Sequence, residues 1–409
     1  MLITRIKAST THLGVSQHFI LLTYTRVDHR RLHLLNVFLA YLLLATTLEV
    51  SGVVRALEDK CSLSELDNTL VKSYEGAPAS ESSQNVSEPF SSGLDLDWMG
   101  SLSDNLRFTF DLSERFEYDT AREEWSISQY YGFDFFKVLS SKQGDYATIL
   151  LQGYATRLDN NPAPPFIFDG PTDWEWTTRM FYINWKLAPR DALNLKIGHF
   201  EMPFGLEMDI NTNGTLRQFD TAPNLGIKAD WGLTLNGVSS GLEYEFGISR
   251  GSGFKWETAG SPYAFVGRVG TDPTNGSWVG VSGFAAELYR PGTTIQRRRI
   301  GVDAGLEFGA WTLMGEVSGG KNGSNDAMHM IGELNWRDPT EQWLGYGQLK
   351  TLKEKNSATG WEGTSQSVLG VKWAPDLRWT MSAEWVQNLE RTSNGSRDAS
   401  IRLQMRYRF

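Results

Sequence analysis

The chain has 409 residues, of which 40% are hydrophobic, 12% aromatic and 21% charged, with a formal net charge of −9. This composition is too polar for a bundle of membrane-spanning helices, and nucleic-acid binding would need a basic face. The single cysteine, Cys61, excludes a disulfide framework. The 40 glycines and 15 tryptophans are instead typical of a transmembrane β-barrel, if the strand pattern agrees.

Residues 1–56 are expected to be an over-extended N-terminus followed by a secretory signal peptide. The apolar run Leu34–Ala45 is shorter than the roughly 20 residues that a spanning helix needs. Basic residues, among them Arg30 and Arg31, precede this run, and small residues follow it. Because a signal peptide normally begins at the N-terminus, we interpret the residues before roughly Val27 as an extension. An uncleaved membrane anchor is the alternative.

Residues 57–103 are expected to form a periplasmic tether. The segment SSQNVSEPFSSG is rich in serine and poor in apolar side chains, which is typical of a flexible segment. A short amphipathic helix is predicted over Ser62–Tyr74, because Glu65 follows Ser62 at the spacing of a capping box.

From residue 104 to the C-terminus, apolar residues recur at every second position. In the last strand Ile401, Leu403 and Met405 alternate with Arg402 and Gln404. Such alternation places successive side chains on opposite faces of a sheet. The pattern predicts an all-β fold, a 16-stranded antiparallel transmembrane β-barrel over residues 104–409, with apolar side chains toward lipid. The predicted strands start near residues 105, 126, 145, 173, 192, 227, 241, 262, 277, 297, 310, 327, 341, 364, 377 and 398.

The connections between these strands favour the barrel over a soluble β-sandwich, in which the apolar face would be the core. Every second connection is a short turn such as SSKQG, APRD or RDPT, whereas the others include long segments such as Leu158–Thr172 and Glu201–Gly226. Outer-membrane barrels combine short periplasmic turns with longer extracellular loops. The terminal Phe409 resembles the C-terminal signature of these barrels, which implies recognition by the barrel-assembly machinery and a location in the bacterial outer membrane.

Alternation also selects the side chains that are expected to line the pore. They are Arg107, Asp111, Arg115, Arg299, Asp303, Glu316, Glu333, Arg378, Glu384, Arg402 and Arg406. Cations and acids are nearly balanced in this set, whereas a pore selective for one sign would carry a ring of the opposite charge. Opposed arginines and carboxylates would create a transverse field suited to polar solutes. Pairing along neighbouring strands, which would only support the wall, is the alternative.

The longest connection follows the fifth strand and is therefore the third extracellular loop. It opens with LKIGHFEMPFGLE, Leu195–Glu207. This segment resembles the phosphate-selective porin O/P family, and the matching residues are Gly198, Phe200, Pro203, Phe204, Gly205, Leu206 and Glu207. The resemblance implies a 16-stranded, usually trimeric diffusion channel for anions, with this loop folded inward to narrow the lumen. The expected constriction-loop residues are Pro203, Phe204, Gly205, Glu207 and Arg217.

The same loop contains oxygen-bearing side chains at the spacing of an EF-hand-type calcium loop. Asp209, Asn211 and Asn213 alternate, Gly214 permits a sharp turn, and Asp220 would close the site. The closing residue is Asp rather than Glu and Arg217 lies inside the loop, so an Asn/Asp turn without metal is the alternative. No other cofactor is expected.

No enzyme activity is expected. His199 and His329 are the histidines of residues 104–409, and neither accompanies a nucleophile elbow. The sequence predicts an outer-membrane porin that passes small hydrophilic or anionic solutes by passive diffusion, and the family resemblance implies a homotrimer and phosphate as a solute. Its expected surroundings are outer-membrane lipid and lipopolysaccharide. Arg297–Arg299 would bind the phosphates of lipopolysaccharide, and a solvated strand end is the equal alternative for these three arginines. A structural or adhesive barrel with a plugged lumen, whose loops bind a surface partner, is the alternative.

Overall fold

The computed structural model describes residues 106–142, 144–160, 170, 172–208, 210–212, 214–273, 276–356, 360–390 and 398–409. The expected leader, the tether and the helix over Ser62–Tyr74 lie outside the described residues. In the ranges that are described, no helix combines the length and apolar character that crossing a membrane requires.

The described residues form sixteen antiparallel strands that pair in chain order and close into a barrel, because β1 also pairs with β16. The strands are β1 (Leu106–Asp119), β2 (Glu124–Ser141), β3 (Gly144–Arg157), β4 (Glu175–Lys186), β5 (Asn194–Glu201), β6 (Ala229–Ser239), β7 (Leu242–Ser249), β8 (Tyr263–Thr271), β9 (Ser277–Arg290), β10 (Thr293–Phe308), β11 (Trp311–Asn322), β12 (Asn325–Arg337), β13 (Trp343–Asn356), β14 (Gly360–Trp373), β15 (Trp379–Asn388) and β16 (Ala399–Arg408). This confirms the predicted fold class and strand number, and no predicted strand start is wrong by more than four residues.

Each strand presents a polar face and an apolar face, and pairing in register keeps each face continuous. On β10 and β11, Asp303 pairs with Glu316 on the polar face and Val302 pairs with Val317 on the apolar face. The two valines are 50% and 53% exposed, whereas both carboxylates are buried. Exposed apolar and buried polar side chains are the reverse of a soluble sandwich, and they are the pattern of a membrane-spanning barrel.

Charged residues join the first and last strands where the barrel closes. Arg406 Nε donates a hydrogen bond to Asp111 Oδ1 at 2.8 Å, and Arg402 Nη2 donates one to Glu117 Oε1 at 3.1 Å. The register on the polar face pairs Glu117 with Arg402, Arg115 with Gln404, Ser113 with Arg406, and Asp111 with Arg408. Acidic residues of β1 therefore meet basic residues of β16 along this seam.

The C-terminal residue also belongs to the seam. The Phe409 backbone N–H donates to the Phe110 carbonyl oxygen at 3.1 Å, and the Phe110 N–H donates to Phe409 at 2.7 Å. The two rings stack with centroids 5.3 Å apart. Phe409 thus extends the antiparallel pairing to the last residue of the chain.

A buried apolar core lies where the connection between β5 and β6 packs on the polar face of β8 and β9. Connection residues Met202, Phe204 and Leu225 are at most 1% exposed. The strand residues that contact this cluster are Ala264, Val266, Phe284, Ala286 and Leu288. This connection therefore covers a patch of apolar side chains on the otherwise polar face.

Candidate functional site

We call residues 202–228, apart from the undescribed 209 and 213, the β5–β6 loop. Its two ends meet, because the Met202 N–H donates to the Lys228 carbonyl oxygen at 2.9 Å. Between them lie a 3-10 turn, Gly205–Met208, and one short helix, α1 (Thr221–Leu225). Phe204 and Phe219 are completely buried.

The Pro-Phe-Gly-Leu-Glu turn fixes the start of this loop to the barrel wall. Gly205 N–H donates to Ser282 Oγ at 3.0 Å on β9, and Leu206 N–H donates to Glu316 Oε2 at 3.1 Å on β11. Gly205 has a φ of +61°, and a Cβ atom there would stand 1.8 Å from Glu316 Oε2. Both the backbone conformation and the close approach therefore require glycine at this position.

A buried ionic network holds the loop together internally. Lys228 Nζ donates to Glu207 Oε1 at 3.1 Å, to Thr212 Oγ1 at 2.9 Å and to Gln218 Oε1 at 3.1 Å. Burial disfavours the charged form of Glu207, but Lys228 and Thr212 outweigh burial and hold the pKa of this carboxyl below its ordinary value of 4.5. The Glu207 carboxylate is thus stabilised in its charged form and helps to hold the loop in its folded conformation.

The tip of the loop, residues 212 and 214–220, contacts β12 and β13 on one side. Arg217 Nε donates to Glu333 Oε2 at 3.0 Å, and the two side chains form a forked ion pair that is 13% and 0% exposed. Lys350 Nζ donates to Asp220 Oδ1 at 3.1 Å. Of the expected constriction-loop residues, Arg217 therefore contacts the wall directly through its side chain.

The same tip contacts the closing strands on another side. Arg115 Nη2 donates to the Thr215 carbonyl oxygen at 3.1 Å on the loop. Gln404 Nε2 donates to the Gly214 carbonyl oxygen at 2.7 Å. The loop therefore makes side-chain contacts with β9, β11, β12, β13, β1 and β16.

The register places the predicted pore-lining residues of the strands on one face of the sheet. Arg107, Asp111, Arg115, Arg299, Asp303, Glu316, Glu333, Glu384, Arg402 and Arg406 all lie on the polar face. Arg378 does not. It is exposed in the turn before β15, where Asp376 Oδ1 accepts hydrogen bonds from the backbone N–H groups of Arg378 and Trp379 at 2.7 and 2.8 Å.

Most charges on the polar face are paired with partners that sequence alone does not identify. The Asp303 carboxylate forms a completely buried ion pair with Arg268, with Nη2 and Oδ1 2.6 Å apart. Lys196 Nζ lies 2.8 Å from Glu245 Oε1. Glu384 accepts a hydrogen bond from the Tyr346 hydroxyl at 2.6 Å. Pairing along the wall therefore accounts for many of these groups, and the transverse field stays a prediction.

Some arginines on the polar face are held by contacts other than an ion pair with a carboxylate of the described residues. Arg115 and Arg179 lie over the rings of Tyr130 and Tyr154, with their guanidinium carbons 4.7 and 4.8 Å from the ring centroids. Arg297 and Arg299 donate to carbonyl and amide oxygens of α1 and of β11.

A cavity of about 210 Å³ lies between the loop tip and the closing strands. Arg115 and Arg402 line it, and their Nε atoms are buried without a hydrogen-bond partner in the described structure. The other lining residues are Phe116, Glu117, Ser126, Ser128, Tyr130, Asn160, Leu216 and Gln218. Two guanidinium groups with free donors, set among hydroxyl groups, fit a small polar or anionic solute.

The predicted calcium ligands are only partly described. Asp209 and Asn213 lie outside the described residues, Asn211 is exposed, and the Asp220 carboxylate accepts a hydrogen bond from Lys350. No group of three or more His, Cys, Asp or Glu side chains suited to a metal is found among the residues that the structure covers.

His199 and His329, the two histidines of the described residues, are buried in the barrel wall. His199 Nδ1 lies 2.8 Å from the Arg179 carbonyl oxygen, and its ring is 5.1 Å from that of Trp231. His329 Nδ1 lies 3.4 Å from Glu316 Oε1.

No family model and no curated protein matches this chain. Solved outer-membrane proteins have a similar fold. An anion-selective porin from Comamonas acidovorans has 12% identity over 74% of this chain and 99% of its own, with a TM-score of 0.54. The outer membrane channel DcaP of Acinetobacter baumannii has 10% identity over 74% of this chain and 97% of its own, with a TM-score of 0.52.

OmpT, an outer membrane protein of Vibrio cholerae solved in a trimer form, has 10% identity over 74% of this chain and 99% of its own, with a TM-score of 0.53. At sequence identities of 10–12%, these structures show only that the fold is similar. This similarity agrees with a porin-type barrel, and membership of the phosphate-selective porin O/P family stays an interpretation of the sequence.

Proposed function

We propose that this protein is a bacterial outer-membrane porin that passes small hydrophilic solutes by passive diffusion through a lumen narrowed by the β5–β6 loop. The observation that carries the proposal is that the loop contacts opposite sides of a closed barrel. Gly205 and Leu206 contact β9 and β11, whereas Gly214 and Thr215 contact β16 and β1. A segment outside the barrel cannot make both sets of contacts, so they support a loop that crosses the lumen.

The outer surface supports the location in the outer membrane. Its apolar side chains face outward on every side of a closed sheet, which leaves no unpaired edge for lipid to meet. Short turns such as Gly309–Ala310 lie at the end of the barrel where β1 begins and β16 ends, and the long connections lie at the other end. In outer-membrane barrels these are the periplasmic and extracellular ends.

Small anions, phosphate among them, are the solutes that the charges favour. Arg115 and Arg179 flank the loop tip, and within the described chain neither forms an ion pair with a carboxylate. Arg402 shares its charge between Glu117 and Glu384, at 3.1 and 3.9 Å. The positive charge near the cavity is therefore less compensated than that of the paired walls, which raises the local concentration of anions.

Single-channel recording in planar bilayers tests conduction, and the reversal potential in a salt gradient tests selectivity. We expect stable ohmic steps with a preference for chloride, and a shift of the reversal potential toward cations in Arg115→Gln. Arg122→Gln is the matched control, because it removes the same charge from a side chain that is 71% exposed in the β1–β2 turn. Phosphate should block chloride current in the wild type and block it less in Arg115→Gln.

Absence of current from a folded barrel would contradict the porin proposal and favour the plugged, adhesive barrel. Current without a difference between Arg115→Gln and Arg122→Gln would leave conduction intact and refute the role of Arg115 in anion preference.

We also propose that the porin assembles as a homotrimer. The support is the trimer form of the similar OmpT structure. Native mass spectrometry of protein extracted in mild detergent should show three copies of the chain, and a single copy at all detergent concentrations would contradict the proposal.

A further inference from the structure

A groove of about 1040 Å³ opens on the apolar face of β6–β11. Gly267, Gly283 and Gly319 form its floor, and they lie in one row of the register, since Gly267 pairs with Gly283 and both Gly283 and Gly319 pair with Ile300. Ile300 stands 72% exposed between these glycines. The apolar walls are Leu233, Leu235, Phe246, Ile248, Phe265 and Val281. The apolar face is therefore concave here because side chains are missing from its floor.

Cations border the extracellular end of this groove. Arg298, which lines the groove, pairs across the sheet with Lys321, and Lys321 pairs with Asp326, which in turn pairs with Lys355. Lys321 and Asp326 form a loose ion pair of 3.5 Å with side chains 57% and 52% exposed. Arg298 is exposed, and no carboxylate of the described chain forms an ion pair with it. This row carries more positive than negative charge.

We propose that the groove and this row of charges form a binding site for an acylated, phosphorylated glycolipid of the outer leaflet, lipid A. An acyl chain would lie on the glycine floor beside Ile300, and a phosphate would bind Arg298 and Lys321. The position of the site fits both parts of this ligand. Lipid surrounds the apolar face at the level of the groove, and basic side chains two residues nearer the extracellular end face the depth of the headgroups.

The proposal rests on the outer-membrane location in the proposed function, but it does not depend on conduction. A protein without channel activity can still bind lipid A at its outer wall, so conductance and lipid binding are measured separately.

The test is a titration of the purified barrel in detergent with hexa-acyl bisphosphoryl lipid A, followed by native mass spectrometry. The comparison probe is dephosphorylated lipid A with the same acyl chains. We expect bisphosphoryl lipid A to bind at least tenfold more tightly than the comparison probe. Arg298→Gln and Lys321→Gln should each weaken its binding by about fivefold, which is the usual contribution of one basic residue near a lipid headgroup.

Gly283→Leu tests the groove itself. A side chain at Gly283 meets no atom within 4 Å, so leucine would fill the groove without disturbing the strand. Gly332→Leu is the matched control, because Gly332 also lies on the apolar face with nothing within 4 Å but does not line the groove. Gly283→Leu should weaken lipid A binding at least fivefold, and Gly332→Leu should not change it. If Gly283→Leu fails to fold, Gly319→Leu fills the same row.

Equal binding of the two lipids would overturn the phosphate contact, and equal binding by the Gly283 and Gly332 variants would overturn the groove. A change of oligomeric mass in Gly283→Leu, with lipid A binding retained, would show that the groove is instead an interface between copies of this chain and would also refute the proposal.

Discussion

The ion pair of Arg217 and Glu333 holds the loop tip to the wall, and its removal should make the channel noisier. In Glu333→Gln the guanidinium of Arg217, with a side chain only 13% exposed, would stay in place without a carboxylate. Gln348 and Asn335 would also lose the anion to which their amides donate, at 2.6 and 2.8 Å. The tip would then lose its strongest contact with β12.

The size of the effect follows from burial. Removing one partner of a buried ion pair costs about 3–5 kcal/mol, because the remaining charge is desolvated without compensation. Since every 1.4 kcal/mol is a factor of ten, a loss of about 3 kcal/mol shifts the equilibrium between attached and released tip by roughly two orders of magnitude. An attached tip that is rarely released in the wild type should therefore be released often in the variant.

Open-channel current noise at constant voltage is the assay, with thermal unfolding as the second measurement. Glu333→Gln should increase the flicker of the open current and lower the Tm. The double variant Arg217→Met/Glu333→Leu should be quieter than Glu333→Gln, because it leaves no buried charge unpaired. Asp191→Asn is the control, since it breaks an ion pair of 2.9 Å with Lys186 whose side chains are 36% and 40% exposed.

Wild-type noise and Tm in Glu333→Gln would refute the view that this pair attaches the tip. A double variant as noisy as the sum of its single variants would show that the two residues act independently.

Three further predictions concern the same loop. Gly205→Ala should lower the free energy of unfolding by about 2–4 kcal/mol through backbone strain and displacement of Glu316. Gly241→Ala is the control, because Gly241 has a φ of +79° and no atom within 4 Å of an added Cβ, so only the smaller cost of backbone strain should appear. Equal losses of unfolding free energy in urea titrations of the two variants would refute the close contact of Gly205 with Glu316. The pKa of Glu207 is lowered in the folded protein, so its carboxylate stabilises the fold fully above the ordinary pKa of 4.5 and loses this effect as the pH falls through the folded pKa. The Tm difference between wild type and Glu207→Gln should therefore be constant from pH 8 to about pH 5 and should shrink in stronger acid. A difference that already shrinks near pH 7 would contradict this assignment. Since Lys350 occupies the Asp220 carboxylate, we expect calcium to leave the Tm unchanged, and a calcium-dependent rise that Asp209→Ala abolishes would instead establish a metal site.

The strands could be predicted because a barrel in lipid repeats one simple pattern along the chain. Ile401 and Arg402 point to opposite faces whatever their partners are, so alternation alone determines the last strand. The prediction fails locally where alternation is misleading. Leu377 continues the period of β15, but the Asp376 side chain accepts the next backbone N–H groups and forms a turn that places Arg378 outside the strand.

The partners of the charged residues could not be predicted in the same way. Arg268 lies in YAFVGRVGT, where valine and glycine occupy both faces, so alternation does not mark it as a polar-face residue. Its partner Asp303 is 35 residues away, and only the register of β8, β9 and β10 brings them together. The Pro-Phe-Gly-Leu-Glu turn was recognisable from its sequence, but its contact with Glu316 depends on a strand 110 residues later.

The charges along the seam between β1 and β16 also help to select one register for the closing strand pair. In the native alignment Arg115 lies opposite Gln404. A slip of two residues, which preserves the polar and apolar faces, would place Arg115 directly opposite Arg402 in one direction and Arg406 in the other. Like charges directly opposite each other destabilise a strand pair, and a slip of one residue would turn arginines toward lipid. Like-charge repulsion along this seam therefore disfavours both two-residue shifts, and Gln404 is the neutral residue that lies opposite Arg115 in the native alignment.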